Sequence, residues 1–194
     1  MTTVLLECAA VVAGYQQPVV GPVSLTVQPG EVLGLLGSNG SGKSTLLKAI
    51  AGAARLFSGT IHKSNAVRLI HHRQQPPRPP ELPLTGQDVL TLTAAEHHPP
   101  PPAVALLLTK RLDQLSGGQF QIVQIWACLA SPATLILLDE PTNNLDPATV
   151  DTLIELLATQ RAERALVVVS HEESFIEAVC TRVIRVDDQG LADV

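Results

Sequence analysis

Aromatic side chains are scarce in this chain: one Trp, one Tyr and three Phe, 3% of 194 residues. A core built almost without them must be assembled from Leu, Val, Ile and Ala, drawn from an apolar content of 45%. Basic residues are also few. Thirteen Lys and Arg stand against eighteen Asp and Glu, a net charge of −5, and this argues against nucleic acid as a partner, since such a binder carries a basic stripe. No apolar run approaches the roughly 20 residues needed to cross a bilayer. The stretch Met1 to Glu7 has neither the basic region nor the cleavage site of a secretory signal. Cys8, Cys128 and Cys180 are odd in number and form no Cys-x-x-Cys, so a disulfide framework is excluded and reduced, partly buried thiols are expected. What remains is a cytoplasmic α/β domain of ordinary size.

Proline is plentiful but badly distributed. Nine of fifteen lie between residues 76 and 102, where they remove backbone donors and leave room for little helix beyond Thr85 to Glu96. Elsewhere the pattern is regular. Residues 1 to 30 read as antiparallel strands separated by turns at Gln17-Pro18, Gly21-Pro22 and Pro29-Gly30. Glu31 to Leu36 reads as a buried strand, and short strands are expected within Thr60 to Ile70. A helix is predicted over Gly117 to Ala130, with Ile122, Ile125, Trp126 and Leu129 on one face. Then come a strand at Leu135 to Leu138, a helix at Pro147 to Arg161, a strand at Ala165 to Ser170, a helix at Glu172 to Cys180 and a last strand at Val183 to Val186. Such alternation predicts a mostly parallel sheet covered on both faces.

The segment Gly37-Ser38-Asn39-Gly40-Ser41-Gly42-Lys43-Ser44 spells a phosphate-binding loop, and a strand precedes it and a helix, opening at Thr45, follows it. Its glycines let successive backbone N–H groups turn inward on phosphate oxygens, and the helix N-terminus adds its positive end. Lys43 can reach the β- and γ-phosphates of a nucleotide, and the Ser44 hydroxyl can ligate Mg²⁺. About a hundred residues on, the apolar run Leu135 to Leu138 ends in Asp139-Glu140, acids at the carboxyl end of a buried strand. Asp139 can hold Mg²⁺ through water, and Glu140 can orient or deprotonate an attacking water. A second anion site is read at Leu115-Ser116-Gly117-Gly118-Gln119, where Ser116 is a natural N-cap and two glycines leave the helix N-terminus bare.

These motifs, in this order, resemble those of the ABC ATPases, the nucleotide-binding subunits of ATP-binding cassette transporters. Gly37 to Ser44 matches the Walker A motif, Leu135 to Glu140 the Walker B motif with its catalytic glutamate, and Leu115 to Gln119 the signature motif. Asn143-Asn144-Leu145-Asp146 resembles the D-loop and His171 the switch histidine. Tyr15 falls where the family stacks an aromatic ring on adenine; read alone, it could equally be a core tyrosine. Gln75 looks like the Q-loop glutamine, which senses the γ-phosphate and contributes to the Mg²⁺ site, although Gln74 stands where the family often has proline.

The resemblance implies an α/β P-loop NTPase fold. Residues 1–75 and 131–194 would form the core with its antiparallel N-terminal β subdomain, and residues 76–130 a shortened helical subdomain. It also implies ATP and Mg²⁺ as cofactors and a head-to-tail homodimer, in which Ser116 and Gly118 of the partner subunit cap the γ-phosphate. Membrane permease subunits are the further partners implied, with an external substrate-binding protein, and the location is peripheral on the inner face of the cell membrane. An importer is preferred, and Leu82 to Val89 resembles metal-ion importers. The alternatives are an exporter ATPase, a soluble mechanical switch and a non-hydrolysing regulatory cassette. The pairs His71-His72 and His97-His98, with His62, are expected to be solvated loop residues rather than metal ligands. Pro99 to Pro102 is expected to be a stiff connector.

Overall fold

A computed structural model gives the fold and describes residues 4–74, 83–158, 164–187 and 190–193. In chain order, β1 (Leu6–Gly14) and β2 (Pro18–Val27) lead to β3 (Val32–Leu36), the glycine-rich loop and α1 (Lys43–Ile50). Strands β4 (Arg55–Lys63) and β5 (Leu69–His72) come next, followed by short helices α2 (Gly86–Leu92) and α3 (Pro102–Leu108). A 14-residue helix, α4 (Gly117–Ala130), precedes β6 (Leu135–Asp139), α5 (Pro147–Ala158), β7 (Ala165–Val169), α6 (Glu173–Val179), β8 (Arg182–Asp187) and β9 (Gly190–Asp193).

Two sheets result. The first is antiparallel, in the order β2-β1-β4; the second runs β5-β6-β7-β3-β8-β9, parallel except for β9, which pairs antiparallel with β8. Every residue of β3, β6 and β7 is buried, as required of parallel strands packed on both faces. Side chains alternate between the faces, and the apolar residues divide accordingly. Val32, Leu36, Ile136, Leu138, Leu166 and Val168 join α4, α5 and α6 in one core. Leu33, Leu35, Leu137, Val167 and Val169 join α1 and the antiparallel sheet in the other. A core poor in aromatics is thus aliphatic layering about a central sheet.

Helix α4 matches its expected span, and Trp126 lies in the core. Several expectations fail in instructive ways. The last proline of the 99–102 run does not extend a connector but opens α3 at its first helical position, where its missing N–H costs nothing. Helix α2 stops at Leu92, short of Glu96: the Thr93 hydroxyl donates back to the carbonyls of Val89 (2.9 Å) and Leu90 (3.1 Å), and Ala94 turns to φ 53°. Strand β4 begins at Arg55, earlier than expected, and β9 follows what was read as the last strand. His71 and His72 are strand residues rather than solvated loop ones, and His72 is only 4% exposed. The three cysteines are free, with Cys8 and Cys128 buried, and burial pushes their thiols up to about 12.

Candidate functional site

The strand order places four chain segments side by side at the carboxyl edge of the parallel sheet. β3 runs into the loop from Gly37, β7 into Ser170 and His171, β6 into Asp139 and Glu140, and β5 into Arg73 and Gln74. Open α/β sheets hold ligands at this edge. A cleft of about 580 Å³ lies there, lined by Asn39, Gly40, Gly42, Lys43, Ser44 and Thr45 from the loop and α1, and by Gln74, Glu140, Asn143 and His171 from the neighbouring segments.

The loop closes on itself around Lys43. Its ammonium donates to the carbonyls of Gly37 and Ser38, both at 2.8 Å. Burial holds that ammonium below the usual lysine range, while Glu140 and Asp139 pull the other way. Gly42 has φ 88°, and a Cβ there would meet the Val20 Cβ at 2.6 Å, so the turn into α1 admits only glycine. The buried Ser41 hydroxyl has no hydrogen-bond partner among the described residues, and a buried polar group without one calls for a ligand.

Across the cleft the acids are already engaged. Ser44 donates to an oxygen of Asp139 at 2.7 Å, and Asp139 is 2% exposed. Glu140 continues the ladder one residue past β6, its N–H donating to the Val169 carbonyl at 2.9 Å. Its φ of 49° lies in the left-handed region, uncommon for such a side chain. There its carboxylate meets Nδ1 of His171 at 2.9 Å. Two acids adjacent in sequence therefore face different partners, Asp139 the phosphate-loop serine and Glu140 the histidine at the end of β7.

The remaining expected residues lie farther out. Tyr15 follows β1 and is half-exposed, and is therefore no core tyrosine. Leu115 is buried, whereas Ser116 and Gly117 are exposed. Ser116 caps α4 by accepting from the Gln119 N–H, and the Gln119 side chain accepts from the Ser116 N–H, both at 3.2 Å. A Cβ on Gly118 would stand 3.2 Å from Leu145, so the signature turn lies against the Asn143–Asp146 loop. Asp146 caps α5, accepting from the Thr149 N–H and hydroxyl at 3.0 and 2.7 Å. The signature segment does not line the cleft of its own chain. Gln75 lies outside the described residues.

Sequence reasoning passed over Val19, which lines the cleft from the antiparallel sheet and is 44% exposed. An exposed valine at a strand start carries no sequence signal of its own. Gln74 was legible only as the neighbour of Gln75. Arg164 was missed too. Buried at the entry to β7, its guanidinium donates to the carbonyls of Leu129 and of Ser131 (3.1 Å for the latter), the C-terminal end of α4. A second tie holds α4 along its length, where the Gln121 amide donates to the Pro141 carbonyl.

A family model described as ABC transporter matches residues 20–143, and a second, for an AAA domain, matches residues 110–177. Among named proteins, the zinc import ATP-binding protein ZnuC of Ruegeria sp. (strain TM1040) is 35% identical over 175 residues, covering 86% of this chain and 70% of that protein. The protein of the same name from Jannaschia sp. (strain CCS1) is 36% identical over 170 residues, covering 84% and 70%. A solved structure described as the ATP binding subunit of an ABC transporter superposes with a TM-score of 0.83 at 26% identity, covering 98% of this chain and 89% of that one.

Proposed function

Taking as premise that the chain belongs to the ABC transporter family, as an ATP-hydrolysing subunit of the import type, we propose a specific division of labour among its residues. The observation that carries it is the paired contact at the carboxyl edge, Ser44 with Asp139 and Glu140 with His171. The loop N–H groups from Gly37 to Thr45 hold the phosphates of ATP, and Lys43 exchanges the carbonyls of Gly37 and Ser38 for the β- and γ-phosphate oxygens. Glu140 accepts a proton from the attacking water, which forms the new bond to the γ-phosphorus as the bond to the ADP oxygen breaks. His171 fixes the Glu140 carboxylate and holds the γ-phosphate. Tyr15 receives the adenine.

The donor set also fits Mg²⁺. Among the described residues no three His, Cys, Asp or Glu side chains cluster as a metal site, but the Ser44 hydroxyl and the buried Asp139 carboxylate are hard oxygen donors already 2.7 Å apart. A magnesium ion uses one or two such donors together with substrate phosphates. Ser44 and Asp139 would hold it, with Gln75 as the third expected ligand. When bound, it neutralises charge on the β- and γ-phosphates.

A second copy completes the site. The exposed N-terminus of α4 offers N–H groups and the Ser116 hydroxyl outward, so a head-to-tail homodimer would place Ser116 and Gly118 of the partner subunit over the γ-phosphate, with Asp146 at the seam. ATP then joins the copies and hydrolysis releases them. The permease driven by this cycle is an importer, and similarity to zinc import ATP-binding proteins favours zinc as its cargo; an external substrate-binding protein would deliver it. No helix among the described residues is long and apolar enough to cross a membrane; the subunit sits peripherally on the inner face, against its permease.

Glu140→Gln tests the scheme. It is expected to bind ATP, lose about 10²–10⁴ in turnover, and run as a dimer in light scattering with Mg-ATP. A variant that stays monomeric at saturating Mg-ATP would remove the sandwich, and turnover near the native rate would remove Glu140 from its role.

A further inference from the structure

Helix α1 carries a second cation beyond Lys43. Lys48 sits in the last turn of that helix, about one and a half turns beyond Lys43, and its ammonium lies 5.9 Å from the centroid of the Tyr15 ring. The ring is rooted in a tight connection. Gly14 pairs with Pro18, the Tyr15 N–H donates to the Gln17 carbonyl at 3.2 Å, and a Cβ on Gly14 would stand 2.0 Å from the Gln17 oxygen. Val19, just past this connection, lines the phosphate cleft. Tyr15 is 49% exposed despite the cation beside it. The connection therefore carries both an exposed cleft residue, Val19, and a ring that keeps open surface.

We propose that Lys48 is a positioning residue for the nucleobase. Its ammonium holds the Tyr15 ring by cation–π attraction, so that the platform for the purine of ATP is set before the nucleotide arrives. This rests on the assignment of Tyr15 as the adenine platform. Ordering an exposed side chain costs binding free energy, and a side chain already held costs less. The helix that begins at the triphosphate thus ends beneath the base and registers one against the other.

The test compares ATP with inorganic tripolyphosphate, which has the phosphates but no base, by calorimetry on the full chain. Lys48→Ala is expected to raise the Kd for ATP about two- to fivefold, the size of an exposed cation–π contact. It leaves tripolyphosphate binding and kcat unchanged, and Lys48→Arg restores ATP binding. Tyr15→Ala weakens ATP further, and adding Lys48→Ala to it changes nothing more, because contacting residues are coupled. Equal losses for ATP and tripolyphosphate would make Lys48 a phosphate contact and overturn the proposal. An unchanged Kd in Lys48→Ala alongside a weakened Tyr15→Ala overturns it while leaving the platform standing. An unchanged Tyr15→Ala removes the platform itself.

Discussion

Two helix N-termini in this protein offer backbone N–H groups outward, and they differ in almost every other respect. The start of α1 is enclosed by its loop, backed by a buried lysine and faced by Asp139, Glu140 and His171 of the same chain. The start of α4 has an exposed Ser116 and Gly117, and its capping box is satisfied within the helix itself. A helix end needs partners for its first N–H groups. At α1 the chain surrounds the helix start with its own residues; at α4 it leaves the start open. The lesson is that binding and hydrolysis need not be properties of the same assembly. Under the proposed head-to-tail pairing, one chain would hold the nucleotide while the chemistry would wait for a second.

The largest expected effect separates those two capacities. Lys43→Ala is expected to weaken ATP binding by the isolated chain about 10- to 100-fold, as for loss of hydrogen bonds to charged groups. Ser116→Arg should leave that binding intact while lowering steady-state turnover about 10²–10³-fold, the cost of losing donors to a developing charge. If Ser116→Arg instead weakened ATP binding to the monomer, the two ends would not be separate sites.

A second effect concerns the flank of α4, where His72 of β5 borders Gln124, Ala127 and Cys128. Burial pushes the His72 imidazole from 6.5 down to about 4, and it holds His71 below its usual range as well. The unfolded chain therefore takes up protons that the folded one refuses, and stability falls as the pH drops from 6.5 towards 4. For His72 the loss is about 3 kcal/mol over that window. Urea melts at pH 7 and pH 4.5 should show a smaller loss in His72→Leu than in the native chain. Equal losses would mean that acid acts elsewhere.

The smallest effect loosens the far end of α4. Arg164→Ala removes charge-assisted donors to the Leu129 and Ser131 carbonyls, for about 2 kcal/mol and a fall in melting temperature of about 4–8 °C. ATP binding at α1 should be retained. A melting temperature equal to the native one would show that the tie contributes nothing.

Much of this was legible in the residues because local chemistry and fold agree there. The phosphate loop needs its glycines, Leu135 to Leu138 is apolar as a doubly covered strand is, and Ser116 is an N-cap residue that fixes where α4 starts. The misses have physical causes. The proline run hid α3, because a proline that breaks helix interiors is also the best opener of one. His72 was read as solvated because a lone buried imidazole has no local signature; only the crossing of β5 under α4 buries it. Arg164 was silent for the same reason, since its partners lie more than thirty positions earlier in the chain.

Arg164 stands at one end of β7 and His171 just past the other, and β7 is hydrogen-bonded on both sides, to β6 and to β3. A strand gripped from both sides does not stretch, so Arg164 fastens the C-terminal end of α4 to firm ground. Fourteen helical residues span about 21 Å, and the Gln121 bond to Pro141 pins the other end beside Glu140. Held like a shelf on two brackets, α4 presents Ser116 at a fixed height on the rim, where the second copy would meet it.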